Sequence, residues 1–145
     1  MATRPRKILT LDKAEARRIW LKAQKLDTRE PFGAGPEATT AAIAHLGYVQ
    51  IDTINVVERC HHHILYSRIP GYSRDDLAQA QSQDKAVFEY WTHALSYVPS
   101  ADLRYFLPAM KAHRAEPKRW ASVGSREETR KLLRRIRKDG ALTIR

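Results

Sequence analysis

Apolar residues in this chain recur at helical spacing in short segments, and prolines and glycines cut each segment off before it grows long. Ala16, Ile19, Trp20, Ala23 and Leu26 fall on one face of a helix over residues 10–26, with Thr10 as its cap. Pro31, Gly33, Gly35 and Pro36 interrupt regular structure, and an alanine-rich helix over 37–46 stops at Gly47, a residue type favoured just past a helix C-terminus. A short amphipathic helix buries its apolar stripe only against neighbours. The pattern therefore predicts several brief helices packed on one another, and no segment is long enough to span a membrane.

Two stretches depart from that period. Residues 48–52 alternate, with Val49 and Ile51 on one side and Gln50 and Asp52 on the other. Residues 87–98 concentrate Phe88, Tyr90, Trp91, Thr92, Tyr97 and Val98, which reads as one or two strands ending at Pro99. Between them, Ile54, Val57, His61, Ile64 and Leu65 return to helical spacing until Pro70, and Ser73 caps a helix running to about residue 82. Ser100 caps another to about 114. After a linker at 115–124, Ser125 and Glu128 form a capping box for a helix over 126–139 that ends at Gly140. Ala141, Leu142, Thr143 and Ile144 then resemble the turn into a second helix. The expected class is mainly α with short β-strands (α+β), with one domain over 1–114 and a second, truncated unit over 125–145.

Charge narrows the partners. Of the formal net charge of +10, the segment 104–145 carries +9, from 13 Lys and Arg against 4 Asp and Glu. Cation concentrated in this way attracts polyanions through counterion release. On the helix over 126–139, Leu132, Leu133 and Ile136 take one face while Arg130, Arg134 and Lys138 stand among the basic residues around the rest, as phosphate contacts or as a solvated face. The single cysteine, Cys60, forms no internal disulfide, and the basic start of the chain meets Asp12, Lys13 and Glu15 rather than an apolar run. A cytoplasmic location is expected.

Gln50 and Asp52 form the most suggestive chemical pair. A carboxylate beside an amide that both donates and accepts suits water attack on a cationic, oxocarbenium-like sugar. Asp52 ahead of Thr53 and Ile54 is equally the cap of a following helix. Cys60, His61, His62 and His63 raise a metal reading, yet successive helical residues turn by about 100° and only Cys60 and His63 share a face. Without a second ligand pair no metal is expected. His61 then packs inward while its neighbours sit at a rim or near a bound polyanion, and His93 reads as a hydrogen-bonded core histidine rather than a catalytic base. No glycine-rich phosphate loop, nucleophile elbow or zinc-deaminase motif occurs.

The run Gly47, Tyr48, Val49, Gln50, Ile51, Asp52, Thr53, Ile54, Asn55, Val56, Val57, followed by His61, His62, His63, Leu65, Ser67 and Arg68, resembles the YcaQ and AlkZ type of winged-helix DNA glycosylase. A second stretch, Phe88 to Ala94 with Ser96, Tyr97 and Pro99, is similar to the same family. The resemblance implies a tandem array of winged helix-turn-helix units and hydrolysis of the N-glycosidic bond of N7-alkylguanine, interstrand crosslinks included. It implies Gln50 and Asp52 as the catalytic pair, in the Gln-x-Asp version of the motif, and no metal or organic cofactor. The implied partner of a monomeric protein is double-stranded DNA carrying alkylated or crosslinked guanine, with Arg59, His63, Arg68 and His93 as contacts beside those of the basic helix. The alternative from a different class is a winged-helix DNA-binding regulator without catalysis.

Overall fold

The computed structural model describes residues 9–115 and 124–140. Its elements are α1 (Lys13–Ala23), α2 (Gly35–Leu46), β1 (Val49–Gln50), α3 (Cys60–Tyr66), α4 (Arg74–Ser82), β2 (Val87–Trp91), β3 (Leu95–Pro99), a 3-10 turn (Ser100–Asp102), α5 (Leu103–Ala115) and α6 (Arg126–Asp139). The fold is α+β: helices with one small antiparallel sheet. Two compact units divide between Leu103 and Arg104. Residues 116–123, most of the expected linker, and residues 141–145, the expected turn into a further helix, lie outside the described residues. Among the described residues no helix is long and apolar enough to cross a membrane.

In the first unit, capping fixes the helix starts. Asp12, not Thr10, opens α1, because its carboxylate accepts from Glu15 N–H (2.8 Å) while Glu15 accepts from Asp12 N–H (3.0 Å), a reciprocal pair that Thr10 has no partner to match. The expected cap at Ser73 is present and has the same form with Asp76. Helix α2 ends where Gly47 turns to φ 81°, a conformation that disfavours any side chain. Ser100 does not cap; its hydroxyl donates to Lys85 C=O (2.6 Å), and a 3-10 turn precedes α5.

The helix expected from Ile54 onward begins only at Cys60. Two local forces oppose it earlier. Asp52 Oδ1 accepts from Ile54 N–H at 2.9 Å, an Asx turn that diverts the backbone. Thr53, Ile54, Val56 and Val57 are β-branched and gain little from helix. Asn55 and Arg59 instead meet in an isolated antiparallel bridge that closes a tight loop.

The strands pair in the order β1-β3-β2, with Gln50 opposite Ser96, and Ser96 opposite Tyr90. Neighbours at one register share a face, so Val49 and Tyr97 point to the other side from Gln50 and Ser96. That side meets the helices. Val49, Val87 and Tyr97 join Ala42 and Ile43 of α2, Leu65 of α3, Ile69, and Leu77 and Ala80 of α4 in the core. Full burial of Ile43, Leu65 and Ile69 contributes on the order of 2 kcal/mol each.

In the second unit α6 shows the capping box read from sequence, Ser125 with Glu128, and closes at Gly140. Its exposed flank carries two i,i+4 ion pairs, Glu127–Lys131 (3.0 Å) and Arg135–Asp139 (3.4 Å).

Candidate active site

Gln50 and Asp52 bracket Ile51 at the end of β1, and Ile51 N–H donating to Leu95 C=O (2.8 Å) carries the ladder one residue past the strand. Both side chains are half-buried. They are held by different means. Gln50 Oε1 accepts from His93 Nε2 (3.0 Å), so the group left to a ligand is the amide NH₂, a donor. Asp52 is oriented by its own backbone through the Asx turn. Asp52 also lines an open cavity of about 360 Å³ with Ile54, Val56, Val57, Glu58, Cys60 and His63.

His93 sits exposed in the turn that joins β2 to β3, rather than in the core. The turn is ordered by Thr92, whose hydroxyl donates to Ala94 C=O (3.2 Å) and lies 3.1 Å from the buried Ser96 hydroxyl. Tyr48 packs edge-on to the His93 ring at 5.4 Å. Gln50, His93 and Thr92 thus form one chain of contacts across 43 residues of sequence.

A second cavity of about 330 Å³ adjoins the first through Glu58 and His63 and is completed by His62, Tyr66, Tyr72 and Arg74. Glu58 accepts from Arg59 N–H (2.8 Å) and pairs with Arg74, and these bonds, that from the backbone first, hold its carboxyl below the usual range. His62 Nδ1 and the Tyr72 hydroxyl share a hydrogen bond of 2.6 Å. Burial lowers His62 and raises Tyr72. Behind them His61 packs inward as expected, and burial, with lesser repulsion from His62 and Arg59, pushes it down to about 4.

Other expected contacts fall in different places. Arg59 is exposed at the start of α3, and His63 is exposed on the wall of both cavities. Arg68 is not at the surface. It is 6% exposed, and its guanidinium donates to Gln24 C=O (2.9 Å), Ile64 C=O (2.9 Å) and Ser67 Oγ (3.1 Å), tying the end of α1 to α3. Arg130, Arg134 and Lys138 follow one another at four-residue steps along α6, exposed. They belong to the second unit. Cys60 is exposed and forms no disulfide, and among the described residues no group of three or more His, Cys, Asp or Glu could hold a metal ion.

The family model of DNA glycosylase AlkZ-like proteins matches residues 43–145. The chain belongs to the AlkZ-like DNA glycosylase family. The match starts in α2 and takes in β1, the Asx turn, the histidine run, the hairpin and α6, leaving α1 outside it. No solved structure matches the chain. Membership in the AlkZ-like family supports a DNA repair glycosylase, a hydrolase whose substrate is DNA.

Sequence reasoning missed the supports of this site. Glu58 and Arg74 carry no motif, Thr92 reads only as a strand former, and Tyr72 carries no local pattern. The only advance signal was the capping residue Ser73, which fixes the start of α4 and so brings Arg74 to Glu58.

Proposed function

We propose that this AlkZ-like protein hydrolyses the N-glycosidic bond of N7-alkylguanine in double-stranded DNA, crosslinked guanines included, with Gln50 and Asp52 as its catalytic pair. N7 alkylation makes the base a cationic leaving group, so the site must mainly stabilise the sugar cation and supply water. A carboxylate about 4 Å from a positive charge, at an effective dielectric of ~20, contributes ~4 kcal/mol, on the order of a thousandfold in rate before desolvation offsets some of it. Asp52 fills that role, and the Gln50 amide, its carbonyl engaged by His93, donates to the attacking water or to a phosphate oxygen. No lysine nucleophile is required, and the reaction needs no metal or organic cofactor.

The observation that carries this reading is the half-buried Asp52 carboxylate, fixed by the Asx turn at the wall of an open cavity and two residues from a Gln that the hairpin holds. The connectivity agrees with a winged helix-turn-helix: helix, strand, two helices, then a hairpin whose second strand lies centrally, α2 through β3. We read the first such unit within 1–114 and a second over 125–145, in a cytoplasmic monomer. In a regulator of this connectivity α4 would enter the major groove by its N-terminus. Asp75 and Asp76 stand there, where phosphates repel them.

Asp52→Asn tests the assignment. The variant should bind alkylated duplex and release N7-methylguanine up to about a thousandfold more slowly, scored by liberated base and by alkali-labile abasic sites. Release at the parental rate removes Asp52 from the chemistry.

A further inference from the structure

The segment leaving Asp52 ends in an apolar knuckle. Asn55 and Arg59 bridge across the loop, and Val56, Val57 and Glu58 form its tip. Glu58 turns back, accepting from Arg59 N–H (2.8 Å) and pairing with Arg74. The two valines turn outward, 89% and 86% exposed, with Ile54 beside them at 69%. A flexible loop would fold such side chains away from water. This one is pinned at its start by the Asp52–Ile54 bond, at its base by the bridge and at its tip by Glu58, and β-branched side chains are themselves stiff.

Stiff, outward apolar side chains gain free energy from an apolar occupant opposite them. Val56 and Val57 line the same cavity as Asp52, so a duplex seated against Asp52 comes beside them. Arg59 stands exposed at the foot of the loop, a cation suited to phosphate. In a chain of a DNA glycosylase family, the partner that combines a flat apolar interior with a phosphate rim is the stacked duplex.

We propose that Val56 and Val57 are a wedge that enters the base stack next to the damaged nucleotide, unstacks it, and thereby brings its sugar within reach of Asp52. The proposal rests on the reading of Asp52 as catalytic for its purpose, though the wedge acts on DNA whether or not the bond is cut. Apolar insertion between base steps partly unstacks them and reads no base edge. The knuckle would therefore act at any sequence context and would leave discrimination of the lesion to the leaving-group chemistry.

The probe is a duplex with 2-aminopurine beside a stable abasic analogue, whose emission rises on unstacking and requires no cleavage. It is recorded with the full chain at concentrations that saturate the duplex by anisotropy. The parent and Asp52→Asn should raise emission severalfold, whereas Val56→Ser combined with Val57→Ser should leave it near the level of free duplex and slow N7-methylguanine release from duplex at least tenfold. Both side chains are exposed, so the melting temperature of the double variant should match the parent and exclude misfolding. An equal rise with the double variant overturns the wedge, as does a parental complex without any rise or a parent that forms no complex. Base release without a rise would sink the wedge and leave the glycosylase reading standing. A rise lost in the double variant but with no base released by the parent would support the wedge and sink the reading of Asp52.

Discussion

Acid should loosen this protein through His61. The side chain is 3% exposed, its Nδ1 has no hydrogen-bond partner among the described residues, and it packs against the rings of His62 (4.1 Å) and Tyr97 (5.6 Å). Burial is the main force holding it at about 4 against an ordinary 6.5; His62 and Arg59 add to it, and Glu58 and Asp52 oppose it. The folded state therefore binds fewer protons than the unfolded chain between those values. Stability from a neutral His61 is fully present above pH 6.5, falls as pH drops from 6.5 toward 4, and flattens below. The gap corresponds to ~3 kcal/mol, a large share of the 5–15 kcal/mol typical of a domain.

Urea denaturation of the parent and of His61→Phe, compared at steps from pH 7.5 to 4, isolates this group. Other titrating side chains contribute to both proteins, His62 with the same sign, so the difference between the two curves carries the His61 contribution. The parent should lose on the order of 3 kcal/mol relative to the variant across the window. Parallel curves would show that His61 takes its proton as easily folded as unfolded, and the account of its burial would be wrong.

Two further outcomes separate holding residues from contact residues. Arg68→Met should destabilise the first unit by about 2–4 kcal/mol in urea, because Gln24 C=O and Ile64 C=O lose a buried charged donor, while the salt dependence of duplex binding stays as in the parent. His93→Ala should lower kcat roughly fivefold with KM little changed, the loss of one hydrogen bond that orients Gln50, and His93→Asn should restore part of it. A flatter salt dependence in the alanine variant would instead make His93 a phosphate contact.

What could be read in advance followed the range of the interaction that decides it. Gly47, Ser73, and Ser125 with Glu128 act within four residues, and each appears where the sequence places it. The helical spacing of Ile54 and Val57 misled, since a single side chain, Asp52, captures Ile54 N–H and the periodic apolar residues end on a loop. Arg68 reads as a surface cation from sequence because the acceptor that draws it inward, Gln24 C=O, lies at the end of α1 and reaches it only through tertiary packing. The pairing of His93 with Gln50 depends on the sheet order, which puts β3 between β1 and β2. No local pattern encodes that order.

The two halves of the candidate pair therefore depend on different parts of the fold. Asp52 takes its orientation from the next two residues and should keep it while the chain up to Asn55 and Arg59 stays closed. Gln50 takes its orientation from a hairpin whose turn is ordered by Thr92 and Ser96, and its strand is only two residues long. Loosening the hairpin thus leaves the carboxylate in place and releases the amide. Since the carboxylate supplies charge and the amide supplies direction, damage to the hairpin should slow water attack without abolishing cation stabilisation, and damage to the loop should do the reverse.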